Sequence, residues 1–482
     1  MGSGARHSSQ PGRHLRRGAL ACCAAAALAA ACAAPHAPGG PSPAAPTSAA
    51  TSATGSGATN HSPSVPPSDD AASPPVPAPP TGSAPGDASA DDGGPDGGAD
   101  TGTSTDSADG ATPPATGGTP PGAATFTIVS AGDVLPHASV NRAAHRPDGS
   151  YDFVPLMAGL EPWTAGGDLA LCSLEVPLAP PGEEVTAYPA FGAPDELVAA
   201  LADLGWDGCA TATNHALDRG LPGLRHTVDV LDAAGLGYAG TARTPAEAAA
   251  PQRYVLQRAG RRLIVAHLST TLVLNGPPLP AGSAWSLSTD VAVLVAQARL
   301  ARQTGADLVV VSMHWGTEYL GAPDATQREA AATLAASGQI DLVLGSHPHV
   351  PQPIEHLPGG PDGTGTWVVW SMGNFISNQD SVCCVPETAT GLVVTATVLA
   401  PVGLPARVTA VDWTAVTVDR AGGQLIYPLH ALATGPAPGV TLDAATLADR
   451  SARVQQVMGS PERTVPPTST GAAPEVLPRR GE

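Results

Sequence analysis

The sequence contains no lysine, so all 23 of its basic side chains are arginines. Asp and Glu together number 42, which gives a formal net charge of −19 at pH 7. Beyond the N-terminal segment, this acidic excess is not interrupted by a basic cluster. A protein that binds a nucleic acid needs a positive surface against the phosphates. The composition therefore argues against a nucleic acid as partner.

Aromatic side chains are also scarce, at 4% of the chain, and residues 35–124 contain none. That stretch consists mainly of Pro, Ala, Gly, Ser, Thr and Asp, and it has no Glu and no Arg. Such a composition cannot bury enough apolar surface to offset the entropy lost on ordering. We therefore predict a disordered tether over residues 32–124, which its proline content keeps moderately extended.

The first 31 residues combine a basic start with a short apolar run from Ala19 to Ala31. The run is too short to predict a membrane span, and the pattern is typical of an export signal. Its ending, LAAAC at Cys32, resembles a bacterial lipobox, in which the cysteine is lipidated. We predict a lipoprotein signal peptide over 1–31 and an extracytoplasmic protein anchored to the bacterial cell membrane through Cys32. An ordinary secretory signal is the alternative, and the choice between Sec and twin-arginine export stays open.

Cysteine is rare, with seven residues, and Cys22, Cys23 and Cys32 belong to the N-terminal segment. The spacing of the other four matches no zinc ribbon. Cys172 and Cys209 fall in predicted strands and are interpreted as small buried hydrophobic residues. Cys383 and Cys384 form an adjacent pair later in the chain. An extracytoplasmic compartment permits a disulfide by either member of that pair, with a partner that the sequence leaves open. In order, these four residues are Cys172, Cys209, Cys383 and Cys384.

From Thr125 onward, apolar strands alternate with helices. This alternation, followed by two β segments without a helix between them, predicts an α/β domain with a partly parallel sheet over 125–432. The segment 433–482 is predicted to be a tail with one helix over 442–458. Helices are predicted over 195–205, 221–236, 290–304 and 324–337, and a hairpin over 253–269.

Several predicted strands end in side chains that bind metals. These residues are Asp133, Glu175, Asn214 with His215, His314, and the pair His347 and His349. Open α/β sheets place their sites beyond the carboxyl ends of the strands. Carboxylates mixed with imidazoles suit a pair of first-row ions, and a carboxylate between them can bridge. Each residue alone has an ordinary explanation, such as a cap or a turn, but their recurrence at strand ends favours a metal site.

Six segments in this order resemble the successive motifs of the CapA family of poly-gamma-glutamate capsule proteins, which belongs to the calcineurin-like metallophosphatase superfamily. They are AGD (131–133), SLEVPL (173–178), TNHALDRG (213–220), MHWGTEY (313–319), GSHPHVPQ (345–352) and WSMGNF (370–375). The resemblance spans about residues 125–430. It implies a four-layer αββα sandwich of metallophosphatase type and two divalent ions drawn from Mn, Fe, Zn and Mg.

The resemblance also implies a role for each residue. Asp133 and His349 would bind one ion, Glu175 would bridge, and the second ion would be bound by Asn214, His314 and His347. His215 would be the general acid, oriented by Asp218. His137 is a further candidate ligand, because the superfamily has a histidine two residues after the first Asp and here the next one is four residues on. Ser173 and Thr213 stand where the family usually has Asn.

Three functions are compatible with this reading. The leading one is a metal-dependent hydrolase-type protein in the synthesis, attachment or trimming of poly-gamma-glutamate, with other capsule-synthesis proteins as candidate partners. The second is an extracytoplasmic dinuclear metallophosphoesterase, which would act on a phosphoester substrate. The third is a non-catalytic protein that binds an anionic surface polymer, although the intact ligand set counts against it. The negative charge opposes a polyanionic substrate unless metals or a local cationic groove compensate.

Overall fold

The computed structural model describes residues 122–276, 278–435 and 438–479 of the chain. The predicted signal peptide over 1–31, the predicted lipidation site Cys32 and the predicted tether up to residue 121 lie outside the described residues. Among the described residues, no helix has the length and apolar character needed to cross a bilayer.

The described residues form strands and helices in alternation, as the sequence predicts. The strands are β1 (Ala124–Val134), β2 (Leu169–Leu174), β3 (Gly208–Ala210), β4 (Gly237–Ala239), β5 (Gln252–Arg258), β6 (Arg261–Thr271), β7 (Leu308–His314), β8 (Leu342–Ser346), β9 (Pro351–Leu357), β10 (Thr366–Met372), β11 (Asn374–Ile376), β12 (Thr390–Ala400), β13 (Arg407–Asp419), β14 (Leu425–Pro428) and β15 (Glu475–Leu477). The α-helices are α1 (Ala138–Ala144), α2 (Val154–Met157), α3 (Glu161–Thr164), α4 (Glu196–Asp203), α5 (Gly220–Ala233), α6 (Pro245–Ala249), α7 (Val291–Gln303), α8 (Ala325–Ala336), α9 (Leu429–Thr434) and α10 (Ala444–Met458).

The strands form two mixed sheets. The first has the order β14-β13-β12-β1-β2-β3-β4, with β11 also paired to β1, and the second has the order β15-β5-β6-β7-β8-β10-β9. Strands β1 to β4 run parallel to one another, and so do β6, β7, β8 and β10. The remaining pairs in each sheet are antiparallel apart from β1 with β11. The prediction of a partly parallel sheet is therefore confirmed.

Alternation along the strands places the two sheets face to face. In β1, Phe126 and Ile128 enter the core shared by both sheets, while Val129 and Ala131 enter the core under α4 and α5. In β7, Leu308 and Val310 likewise face the other sheet, whereas the intervening side chains pack under α7 and α8. Because successive side chains of a strand point to opposite faces, both faces of each sheet are buried. The result is the helix–sheet–sheet–helix order that the resemblance implies.

Capping residues define the starts of α7 and α8. Asp290 accepts hydrogen bonds from the backbone N–H groups of Ala292 and Val293 at the start of α7. At α8, Asp324 and Gln327 form a capping box in which each side chain bonds to the other's backbone N–H. Such caps satisfy N–H groups that have no partner within the helix. The predicted boundaries of both helices are therefore correct to within one residue.

The predicted tail contains more structure than its single predicted helix. Helix α10 lies where it is expected, but strand β15 then pairs antiparallel with β5 at the edge of the second sheet. Beyond it, the Arg479 guanidinium donates to the backbone carbonyls of Tyr238, Thr241, Glu247 and Ala250. A strand of three residues is too short to show an alternating pattern, which is why the sequence did not reveal it.

The interpretation of Cys172 and Cys209 requires a correction. Both are buried, as expected, but they are bonded to each other in a disulfide. They lie opposite each other in the parallel register of β2 and β3, with a Cα–Cα distance of 4.4 Å. Cys383 and Cys384, which were the expected candidates for pairing, are free thiols.

Candidate metal centre

Six of the seven predicted ligands lie at the carboxyl ends of strands from both sheets. Asp133 is the penultimate residue of β1, Glu175 follows β2, and Asn214 lies in the turn after β3. In the second sheet, His314 ends β7, and His347 and His349 occupy the loop after β8. All six side chains are buried, with at most 3% of their surface exposed.

One group of ligand atoms is formed by Asp133, Glu175 and His349, which lie within 4.8 Å of one another. The His349 Nδ1 atom is 3.5 Å from Asp133 Oδ2, and its Nε2 atom is 3.7 Å from Glu175 Oε1. Asp133 is fixed by the Ser173 hydroxyl, which donates to Oδ1 at 3.0 Å, and by the His347 backbone N–H at 3.2 Å from Oδ2. The carboxylate of Asp133 is thus held in place from two sides.

The second group contains Asn214, His314 and His347. The Nε2 atom of His314 is 2.8 Å from Asn214 Oδ1 and 3.9 Å from Glu175 Oε1. The rings of His314 and His347 are 4.8 Å apart between centroids. Glu175 therefore lies beside a histidine of each group.

Glu175 provides the test of whether the site fits a cation. Both of its carboxylate oxygens are buried without a hydrogen-bond partner. Burial raises the pKa of this carboxyl well above its usual range, and the neighbouring Asp133 adds to the rise, against the opposite effect of His349. A buried carboxylate without compensation is costly, whereas a divalent cation would offset that cost. Nearby, the imidazole nitrogen His347 Nδ1 is also unpartnered. Unpartnered carboxylate oxygens beside an unpartnered imidazole nitrogen form a ligand set that fits a metal centre.

The histidines differ in their affinity for protons. Burial lowers the pKa of His314 well below its usual range and lowers that of His347 to about 3. Both rings are therefore neutral at pH 7, which is the form that binds metals. Burial also lowers the pKa of His349, but the charges of Glu175 and Asp133 outweigh it and raise the pKa to about 9. His349 therefore carries a proton at pH 7 in the position where a cation would otherwise bind.

Close backbone packing shapes both loops of the site. A Cβ atom on Gly132 would collide with the carbonyl oxygen of Gly373, and one on Gly345 would collide with that of Trp370. His347 and His349 have positive φ angles of 93° and 59°. This conformation costs a non-glycine residue roughly 1–2 kcal/mol and is often found at functional sites.

His215 lies beside the ligands and is held differently from them. Its Nδ1 atom is 2.7 Å from Asp218 Oδ2, and that carboxylate also accepts the Phe191 backbone N–H at 2.8 Å. The Phe191 ring contacts His215 edge-on, with centroids 4.8 Å apart. The Nε2 atom is 3.4 Å from Asn275 Nδ2. The predicted pairing of His215 with Asp218 is thus present, and its role as general acid stays a prediction.

The hydrogen-bond partners of His137 lie outside both ligand groups. Its Nδ1 atom is 3.1 Å from the Leu135 carbonyl oxygen and 3.4 Å from the Asn378 backbone nitrogen. Burial lowers the pKa of this imidazole to about 4. The metal-ligand groups found among the described residues do not include it, so its role as a ligand stays a prediction.

The two departures from the family pattern have structural roles. The Ser173 hydroxyl bonds to Asp133, as described, and the Thr213 hydroxyl donates to the Glu175 backbone carbonyl at 2.6 Å. Both residues therefore support ligands through hydrogen bonds.

Two residues at the site were not identified from the sequence. Glu318 forms a ligand group with His347 and His349, and Asn374 Oδ1 is 3.1 Å from His349 Nδ1. Both stand inside quoted motifs, MHWGTEY and WSMGNF. Their membership in these motifs could have marked them as candidates, but the local sequence pattern does not show that their side chains reach the histidines.

A two-sheet α/β fold with carboxylates and imidazoles buried together at its strand ends defines a protein with a candidate metal centre. The family described as "Bacterial capsule synthesis protein PGA_cap" matches residues 127–379, which is more than half of the chain. The chain belongs to this family, and the resemblance to CapA proteins is confirmed.

Individual relatives share about three residues in ten with the chain. The PGA biosynthesis protein CapA of Bacillus subtilis is 30% identical over 189 residues, which cover 38% of this chain and 46% of the relative. A probable polyglutamine synthesis accessory protein of Mycobacterium tuberculosis is 31% identical over 228 residues, covering 45% and 57%. The chain thus spans about half of the length of the curated relatives it matches.

Solved structures with a similar outline include the Haemophilus influenzae NAD nucleotidase, with a TM-score of 0.39 and 12% identity over 69% of this chain and 67% of that one. The calcineurin-like phosphoesterase YfkN of Bacillus subtilis has a TM-score of 0.34 and 13% identity over 69% and 97%.

Proposed function

We propose that this protein is a metal-dependent enzyme that acts on poly-gamma-glutamate during the synthesis, attachment or trimming of a bacterial capsule. Family membership supports the polymer, and the names of the relatives agree with it. The observation that carries the metal dependence is Glu175, whose buried carboxylate oxygens have no partner.

Two divalent ions fit the two ligand groups. Asp133 and His349 would hold one ion, and Asn214, His314 and His347 would hold the other, with Glu175 shared between them. Bound ions of this kind act as Lewis acids toward anionic oxygens. They would also supply local positive charge in an acidic chain, which a polyanionic substrate needs.

His215 supports a hydrolytic reaction and makes phosphoester cleavage the second candidate. The Asp218 carboxylate accepts a hydrogen bond from the Nδ1–H group of His215 and so orients the ring. The other ring nitrogen, Nε2, is then the atom that can give a proton to a leaving group. This arrangement serves an amide or a phosphoester equally well, so the choice between them depends on the substrate assay.

The test combines metal content with turnover on both substrates. Purified parent protein should contain about two divalent ions per chain, as in other two-metal hydrolases. His347→Ala and His349→Ala should each lower that content, while His356→Ala, which removes an exposed histidine from β9, should leave it unchanged. Poly-gamma-glutamate and a generic phosphodiester are then tested with the same samples. Equal metal content in all four proteins would refute the centre, and a metal-loaded parent that cleaves neither substrate would favour a non-catalytic, polymer-binding role.

We propose, on the N-terminal sequence alone, that the protein works outside the cytoplasm and is anchored to the membrane through lipidated Cys32. The LAAAC ending and the long polar tether support this location. Mass spectrometry of the parent beside Cys32→Ser tests it. An unlipidated, freely secreted parent would contradict the proposal.

A further inference from the structure

We infer that Glu318 is an additional metal ligand on the solvent side of the centre, where its carboxylate binds the divalent cation held by His347, with His349 adjacent. The inference rests on the proposed metal centre and extends it to a residue outside the seven predicted ligands.

Distance is the first argument. Single ligand atoms of Glu318, His347 and His349 lie within 4.8 Å of one another. Ligands bound to one ion at about 2.0–2.2 Å can be separated by roughly 4.4 Å at most. A shift of a few tenths of an ångström therefore suffices for Glu318 and His347 to reach one cation. Because Glu318 is exposed, a small rotation of its side chain costs little.

The loop that carries Glu318 is attached to the histidine loop along its length. The Trp315 backbone N–H donates to the Ser346 carbonyl at 3.1 Å, and the Tyr319 N–H donates to that of Pro348 at 2.8 Å. The Gln352 side chain adds a bond of 2.7 Å to the Leu320 carbonyl. These bonds position the backbone of Glu318 beside the histidine loop, and its exposed side chain needs only a small rotation to reach a cation there.

Tyr319 adds evidence of a specific local conformation. It has a φ angle of 65°, and its ring lies 6.2 Å from that of His349 between centroids. A tyrosine in this backbone region costs roughly 1–2 kcal/mol. That conformation accompanies the hydrogen bond from Tyr319 to Pro348, which holds the neighbouring Glu318 over the histidines.

The surroundings of Glu318 and His347 also fit a bound cation. Among the described residues, no arginine forms an ion pair with Glu318. Beneath it, His347 is 3% exposed and its Nδ1 atom has no hydrogen-bond partner. The Glu318 carboxylate thus has no arginine partner, and the neighbouring imidazole nitrogen has no hydrogen-bond partner. Together they supply the oxygen and nitrogen ligands that first-row ions prefer.

Calorimetric titration of the metal-free full chain with Mn²⁺ tests the inference. Glu318→Gln keeps the size of the side chain and removes its charge, and we expect Mn²⁺ affinity to fall about tenfold or more, the scale seen for residues that support metal ligands. Glu329→Gln is the matched control, because it removes one exposed negative charge from α8, and its affinity should equal that of the parent. Co²⁺ absorption gives a second readout, since loss of a ligand changes its visible spectrum while a distant charge does not.

The outcomes separate this inference from the metal centre itself. If His347→Ala and His349→Ala lose affinity while Glu318→Gln matches Glu329→Gln in affinity and spectrum, the centre stands and the inference is wrong. If the parent binds no Mn²⁺ at all, both fail. A selective loss of affinity in Glu318→Gln with an altered Co²⁺ spectrum supports a direct ligand.

Discussion

At the scale of single residues, neighbours in sequence have different tasks. Asn214 directs its side-chain oxygen to His314, whereas His215 turns to Asp218. Successive residues near a strand end point in different directions, so the two side chains can serve a metal and a substrate separately. Removing one should therefore not mimic removing the other.

Substitution of these two residues should separate metal binding from turnover. Asn214→Ala should lower metal content, because it removes an oxygen from the ligand group. His215→Ala should keep the metal and lose on the order of 10²-fold or more in turnover, the usual scale for a general acid. Asp218→Asn should cause a smaller loss, since it only orients the ring. Metal analysis and turnover on the same samples decide the matter, and a His215→Ala protein that loses its metal would make this histidine a ligand.

The proton on His349 should make metal binding depend on pH. Because the pKa of this imidazole is raised to about 9 in the metal-free protein, a cation must displace its proton at any lower pH. Affinity should therefore rise by about tenfold per pH unit between pH 6 and 8 and level off above 9. His314 and His347 are neutral in this range and add no proton, whereas a proton on Glu175, whose pKa burial raises, adds to the release and steepens the dependence. Calorimetry in two buffers of different ionisation enthalpy measures the released proton, and release of none would contradict the assignment.

At the scale of elements, the sequence identifies strand ends better than contacts between strands. Apolar runs that stop at Asp133, Glu175 and His314 predicted both the strands and the ligands, because burial on both faces leaves a continuous apolar signal. The disulfide between Cys172 and Cys209 depends on the register of β2 against β3, which one strand cannot show. Glu318 was not identified for a similar reason, since its position depends on hydrogen bonds between two loops.

The disulfide should contribute substantially to stability. It closes a loop with a sequence separation of 37 residues, for which chain entropy suggests about 3–4 kcal/mol. The free energy of unfolding of the Cys172→Ala/Cys209→Ala variant, measured by denaturant titration, should therefore be lower than that of the parent by this amount. The Cys383→Ser/Cys384→Ser variant, which removes the two free thiols, should have the same free energy of unfolding as the parent. Mass spectrometry of an unreduced digest should show the link between Cys172 and Cys209, and a link to Cys383 or Cys384 would contradict the pairing.

At the scale of the whole described fold, the centre joins the two sheets. Asp133, Glu175 and Asn214 come from the first sheet, and the three histidines come from the second. A cation shared by both sets would hold the sheets together at the edge where their strands end. Metal binding should then be visible as stability of the domain and not only as activity.

Removal of the metal should therefore lower the melting temperature of the whole domain in one cooperative step. A ligand present at a hundred times its dissociation constant stabilises the folded state by about 2.7 kcal/mol for each site, because the unfolded chain does not form the site. Without metal, Glu175 is left buried with unpartnered oxygens, so the chelated protein also bears the cost of that burial. Calorimetric scans of the parent with and without a chelator should differ by several degrees, and added Mn²⁺ or Zn²⁺ should restore the higher value. The His347→Ala/His349→Ala variant should melt at a temperature that the chelator changes much less. If the chelator leaves the parent's melting temperature unchanged while metal analysis shows that the ions are gone, the ions do not join the sheets, and the buried carboxylate must be stabilised by protonation instead.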